Sequence, residues 1–228
     1  MMERFENRND AGKLLAEKLT SYRGRKDVLV LGLPRGGVPV AYEVATKLDL
    51  PLDILLVRKL GVPGQEEFAF GAIASGGTCF INDELVHTLQ MPDSLVAQVI
   101  EREKRELERR EKLYRGNRPA PDVRGKTVII ADDGLATGST MMSAVMAIKH
   151  LYAKEIVVAV PVCAPDTCRE LRRNVNTFCT CVYAPEHFYA VGLWYKDFHA
   201  VTDDEVSSLL EKAGSGAIYA TACSESRL

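Results

Sequence analysis

The chain has 228 residues, 46% hydrophobic and 26% charged, which is enough apolar material for one sizeable core without disulfide or metal staples. Its 29 Lys and Arg stand against 31 Asp and Glu, a net charge of −2, which argues against a protein that grips nucleic acid by neutralising phosphates. The opening Met-Met-Glu-Arg-Phe-Glu-Asn-Arg has no apolar signal core, and no apolar run is long enough to cross a bilayer, so the expectation is a cytoplasmic protein without a membrane partner.

Ala11, Leu15, Leu19 and Tyr22 recur at helical spacing and predict an opening helix over 8–22. A β-branched run at 27–33 predicts a buried strand ending in a glycine-rich turn, followed by a helix over 38–48 and a second strand over 52–57. Residues 58–77, rich in glycine and broken by Pro63, are expected to form a mobile loop, with a short strand at 78–81. Asp93-Ser94 can start a long helix reaching Arg115. Between Glu101 and Lys112 it carries five acidic and six basic residues with signs interspersed, so it reads as a solvated face rather than a basic patch. A strand at 126–131, a helix at 139–151, and strands at 155–162 and 177–183 come next. The capping box at Thr202-Asp-Asp-Glu205 predicts a last helix over 203–212, and 214–228 reads as a flexible tail.

The six cysteines, Cys79, Cys163, Cys168, Cys179, Cys181 and Cys223, invite a disulfide or metal reading. Without an export signal, reduced thiols are expected. Neither close pair has C-x-x-C spacing, so a structural metal is not expected. His87, His150, His187 and His199 show no spacing for a triad or metal centre, and only His187 lies beside a candidate site. Strands alternating with helices imply an α/β fold, a mostly parallel sheet covered on both faces. Ligands then bind beyond the carboxyl ends of the strands.

At one such end stands Val128-Ile-Ile-Ala-Asp-Asp-Gly-Leu-Ala-Thr-Gly-Ser-Thr140. Backbone N–H groups from Ala136 to Thr140, at a helix mouth, can wrap a phosphate, and Gly138 allows close approach. The hydroxyls of Thr137, Ser139 and Thr140 add donors, while Asp132 and Asp133 can accept from sugar hydroxyls one ribose length away. An ordinary capped turn would explain Ser139, but not adjacent acids at a buried strand's end. The stretch resembles the PRPP (5-phosphoribosyl 1-diphosphate) signature of type I phosphoribosyltransferases: strand, two acids, three residues, Thr-Gly-x-Thr/Ser.

That resemblance spans about residues 8–212 and implies further roles. Gly32-Leu-Pro-Arg-Gly-Gly-Val38 sits where the family binds pyrophosphate, which gives Arg35, Gly36 and Gly37 those contacts and an expected cis peptide near Arg35–Gly36. Arg58 and Lys59 open the segment corresponding to the flexible catalytic loop, where they would offset charge on departing pyrophosphate. Phe188, Trp194 and Tyr195, in a hood at about 184–200, are candidates to stack on an acceptor base, with plain packing as the alternative.

The implied function is transfer of the 5-phosphoribosyl group from PRPP to a nitrogenous base in nucleotide metabolism. Mg²⁺ would be the cofactor, held through PRPP and waters, with Asp132 and Asp133 as candidate ligands. The alternative is a PRPP- or nucleotide-sensing protein without transferase activity. Ala136 stands where 6-oxopurine enzymes carry an acid, which leaves Glu66, Glu67 or the acceptor to manage the proton. The expected architecture is one domain over 1–213, with a helical insertion at about 82–116 and a homodimer as a candidate assembly.

Overall fold

The computed structural model describes residues 4–183 and 188–215, apart from the side chains of 66, 67, 179–183 and 215. The chain begins with helix α1 (Arg8–Glu17), whose first turn is capped by the Asn7 side chain accepting from Asp10 N at 3.0 Å. Strand β1 (Val28–Gly32) and helix α2 (Gly37–Leu48) follow as expected, and strand β2 (Leu52–Ile54) ends three residues short of the expected 57, because Val57 already belongs to a different sheet. The opening helix is shorter than its periodicity suggests: a 3₁₀ turn at Thr20–Tyr22 finishes the segment and still buries Leu19 and Tyr22.

Residues 58–77 depart from the expectation of a mobile loop. They form β3 (Val57–Val62) and β4 (Gln65–Ala74), which pair antiparallel, and β5 (Thr78–Ile81) completes a separate three-stranded sheet. The glycines punctuate hairpins rather than loosen a loop. Gly64 takes φ +82° in the tight turn, and a Cβ on Gly71 would stand 2.3 Å from Phe80 O on the neighbouring strand. Leu60, Phe70 and Ile73 are buried and anchor this sheet to the main core.

Helices α3 (Asp83–Thr88) and α4 (Asp93–Arg115) come next. The charged helix is more than a solvated rod, because Val99, Glu103, Leu107, Tyr114 and Arg115 are buried along one face. Glu103 binds Arg58, with Oε2 2.8 Å from Nε. Arg115 meets Asp53 Oδ1 at 2.9 Å, Glu111 Oε1 at 3.0 Å and Ser75 Oγ at 3.3 Å.

The second half runs β6 (Thr127–Ala131), α5 (Ser139–His150), β7 (Glu155–Cys163), α6 (Pro165–Leu171), β8 (Thr177–Tyr183) and α7 (Asp203–Ser215). The capping box before α7 closes both ways: Glu205 N donates to Thr202 Oγ1 at 3.2 Å, and Thr202 N to Glu205 Oε2 at 2.7 Å. The Cys163 and Cys168 sulfurs lie next to each other between β7 and α6, and Cys79 is free. Cys223 and His187 lie outside the described residues, as do the Cys179 and Cys181 side chains.

The main sheet is parallel throughout, in the order β2-β1-β6-β7-β8. Strand side chains alternate between two cores. Val28, Val30, Ile129, Ala131 and Val157 pack with α1, α2 and α7, while Leu29, Leu31, Val128, Ile130 and Val158 pack with α5. This two-sided burial is why the strands read as unbroken apolar runs. β1 and β6 lie side by side in register up to Gly32 opposite Ala131, with α2 leading one way and α5 the other. The loops after these two strands therefore emerge together at a topological switch point. Among the described residues, no helix is long and apolar enough to cross a membrane.

Candidate functional site

The loop after β6 is held in place from both sides. Leu135 N donates to Val162 O at 2.9 Å, and Ala164 N donates to Leu135 O at 2.9 Å, so the chain pairs briefly with β7 beyond the acids. From α6, the Thr167 hydroxyl donates to Ala136 O. Gly138 takes φ +69° as it enters α5, where a Cβ would stand 2.4 Å from Thr167 Cγ2. Among the described residues, the backbone N–H groups of Ala136, Thr137, Gly138, Ser139 and Thr140 carry no hydrogen bond to protein. Five unsatisfied donors at a helix mouth make an anion cradle.

Asp132 and Asp133 leave β6 immediately before that cradle. Asp132 Oδ1 accepts from Asp133 N at 2.8 Å. Burial pushes the Asp132 carboxyl well above the usual range, and the neighbouring Asp133 charge pushes it further. Burial also raises Asp133, opposed by a hydrogen bond from Arg8, whose Nε lies 2.8 Å from Asp133 Oδ2. Arg8 was not singled out in the sequence. It lies 125 positions from Asp133, in a helix whose pattern explains itself without a site.

The loop after β1 packs directly on these acids. A Cβ on Gly36 would stand 2.1 Å from Asp133 Oδ2, and one on Gly37 would stand 2.8 Å from Asp132 Cα. Both glycines are therefore fixed by the contact between loop and acid pair. The cis peptide bond is Pro34–Arg35, one residue earlier than expected. The Arg35 guanidinium is half exposed and stands 3.8 Å from Asp203 Oδ1 at the start of α7. That carboxylate also accepts from the Tyr114 hydroxyl at 2.5 Å; burial and this acidic neighbour push the Tyr114 phenol up to about 12.

Arg58 and Lys59 take different places on β3. Arg58 lines a cavity of about 30 Å³ with Pro34 and Thr140, its guanidinium bound to Glu103 of α4. Lys59 lines a larger cavity of about 330 Å³ that has Thr137, Gly138 and Ser139 at one end and Phe80, Met142 and Met146 along its walls. The side chains of Glu66 and Glu67 lie outside the described residues.

The hood is built from both ends of the chain. Phe5 N donates to Trp194 O, and Lys196 N donates to Phe5 O, each at 2.9 Å. Phe188 and Trp194 are partly buried against this cluster. Tyr195 differs from the stacking role expected of it. It is only 3% exposed, its ring packs against Phe5 and Phe198 at centroid distances of 5.4 and 5.0 Å, and its hydroxyl donates to Asp133 O at 2.5 Å. It thereby braces the acid pair. Gly134 lets the hood close, since a Cβ there would lie 2.5 Å from Val191 Cγ1.

The residues suit a metal carried by a ligand better than one caged by protein. One oxygen of each acid is already engaged, and among the described residues no three His, Cys, Asp or Glu side chains gather to hold an ion.

Known proteins with similar sequences bear directly on this arrangement. The chain is 42% identical over 212 residues, 93% of its length, to two Mycobacterium tuberculosis proteins, one of them named "Putative phosphoribosyl transferase Rv0571c". It spans about half of those relatives, 47% of their length. The crystal structure of TT1426 from Thermus thermophilus is similar with a TM-score of 0.82 and 39% identity, covering 92% of this chain and 98% of that one. Residues 3–193 match the family model of the phosphoribosyl transferase domain. With strand, acid pair and amide cradle in that order on a parallel sheet, the chain belongs to the phosphoribosyl transferase domain family.

Proposed function

We propose that the protein transfers the 5-phosphoribosyl group of PRPP to a nitrogenous base and releases pyrophosphate. One observation carries this reading: the backbone of Gly36 and Gly37 lies against the carboxylates of Asp132 and Asp133, directly upstream of five unsatisfied amides. PRPP, with its terminal phosphate, vicinal hydroxyls and diphosphate, offers a partner to each of these groups.

In this reading the amides of 136–140 hold the 5-phosphate, aided by the hydroxyls of Thr137, Ser139 and Thr140. Asp132 and Asp133 accept from the ribose hydroxyls, and the negative charge carried by the pair favours an oxocarbenium-like transition state at the anomeric carbon. The loop at Arg35, Gly36 and Gly37 meets the diphosphate, and Lys59 and Arg58 are the cations assigned to offset its charge as it departs. Mg²⁺ bound through the diphosphate oxygens supplies further charge neutralisation on the leaving group. Phe188 and Trp194 are the hood side chains offered to an acceptor base.

The test is pyrophosphate release from PRPP with Mg²⁺ across a panel of nitrogenous bases. At least one base should support turnover, and Asp132→Asn and Asp133→Asn should each lower it roughly 100-fold. PRPP binding without turnover on any base would favour the sensing protein instead. Turnover unchanged in both variants would remove the acids from the reaction.

A further inference from the structure

Arg8 reaches the acid pair from the first turn of α1, and three partners fix its guanidinium. Nε donates to Asp133 Oδ2 at 2.8 Å, Nη1 donates to His199 O at 2.8 Å, and the central carbon lies 3.9 Å over the Phe198 ring. The side chain is 8% exposed. A planar fork held on an acid, a carbonyl and a ring has little freedom left, so it fixes whatever it binds.

What it fixes is one edge of Asp133. The Gly36 backbone closes on the same oxygen, since a Cβ there would lie 2.1 Å from Oδ2 and 3.4 Å from Arg8 Nε. With Oδ2 engaged, recognition of an incoming hydroxyl by this carboxylate falls to Oδ1. Two of the three Arg8 contacts, Phe198 and His199, lie just beyond the hood's Tyr195, so the orientation of the acid is set from the hood side.

We propose that Arg8 is a positioning residue for sugar recognition: it clamps Asp133 Oδ2 from the hood side so that Oδ1 reads a ribose hydroxyl, making the site select ribose over deoxyribose phosphates. The inference rests on the sugar-phosphate reading above and adds to it the residue that enforces hydroxyl selectivity. Lysine cannot reproduce this clamp, because a point charge lacks the fork that engages acid and carbonyl together.

The experiment compares affinities for ribose 5-phosphate and its 2-deoxy and 3-deoxy analogues by calorimetry, for the wild-type protein and the Arg8→Gln, Arg8→Lys and Asp133→Asn variants, with circular dichroism reporting the fold. The wild type should prefer ribose 5-phosphate to at least one deoxy analogue by about tenfold or more, the scale of a hydrogen bond to a charged group. Arg8→Gln should bring that ratio to within about twofold of unity, and Arg8→Lys should give an intermediate ratio. Combining Arg8→Gln with Asp133→Asn should add nothing to Asp133→Asn alone.

Equal weakening of all three ligands, or an unchanged ratio, would make Arg8 merely structural and overturn the proposal. If Arg8→Gln fails to fold, Arg8→Lys decides, and a ratio equal to wild type overturns it. A wild type that binds none of the sugar phosphates defeats the underlying reading. One that binds all three alike defeats only the hydroxyl-reading step, and the proposal with it.

Discussion

His199 ties the end of the hood to the start of α7. Its ring nitrogens lie 3.1 Å from Asp197 Oδ1 and 3.3 Å from Glu205 Oε1, and the hydrogen bond to Asp197, then that to Glu205, raises its pKa above the ordinary value. Both acids are held below their usual range, so they are ionised across the range where the imidazole titrates. A histidine raised in the folded state contributes stability that is fully present below its unfolded pKa and lost as pH rises through the folded one. The wild type should therefore be more stable than His199→Gln at about pH 5.5, and the difference should vanish by about pH 9 in urea titrations. A difference independent of pH would show that the ion pairs do not set it. At this scale the sequence revealed what is contiguous. Asp132, Asp133 and the amides of 136–140 share one short stretch, so their adjacency is readable from the sequence alone. Arg8, which meets Asp133 only after folding, was not legible, whereas for Tyr195 the packing alternative is the one its ring takes, and only its hydroxyl bond to Asp133 O was hidden in the sequence.

Among the elements, α4 shows how a charged helix can be structural. Its exposed pairs, such as Arg105 with Glu101 at 2.9 Å, are solvent-screened and contribute little. Arg115 is different: only 4% exposed, it joins the end of α4 to Asp53 in β2 and to Ser75 after β4. Arg115→Met should cost about 3 kcal/mol, because it strands the Asp53 and Glu111 carboxylates, whereas Glu101→Gln should cost less than about 0.5 kcal/mol. Denaturant midpoints for the two variants check this, and equal small shifts would contradict it. Charge balance along the helix argued against a basic patch, but the counts could not show which charges turn inward. Residues 58–77 failed for a related reason. Pro63 and the glycines signal turns, and only the pairing of Val57 with Ala74, and of Thr78 with Ala74 on the other edge, distinguishes a sheet from a loop. The short α6 has too few residues to show a period, yet its Thr167 holds the 136–140 loop through Ala136 O.

The whole molecule places its chemistry by topology. Strands buried on both faces, and helices leaving β1 and β6 in opposite directions, put two loops at one edge of the sheet, where their glycines and carboxylates meet. The parallel sheet covered on both faces was readable in advance from unbroken apolar strands alternating with helices, whereas the pairing of β1 with β6 was not. The joining of Phe5 to the hood was not readable, because its backbone pairing and its ring contact with Tyr195 link residues 190 positions apart. The central claim is that the amide cradle and the acid pair form one site for a phosphorylated pentose. Calorimetric titration of the wild type with PRPP and Mg²⁺, repeated with Asp132→Asn and Asp133→Asn, tests it most directly. Saturable binding that weakens about tenfold or more in each variant, with the fold intact, is the expected result. No binding by the wild type, or equal binding by all three proteins, would contradict it.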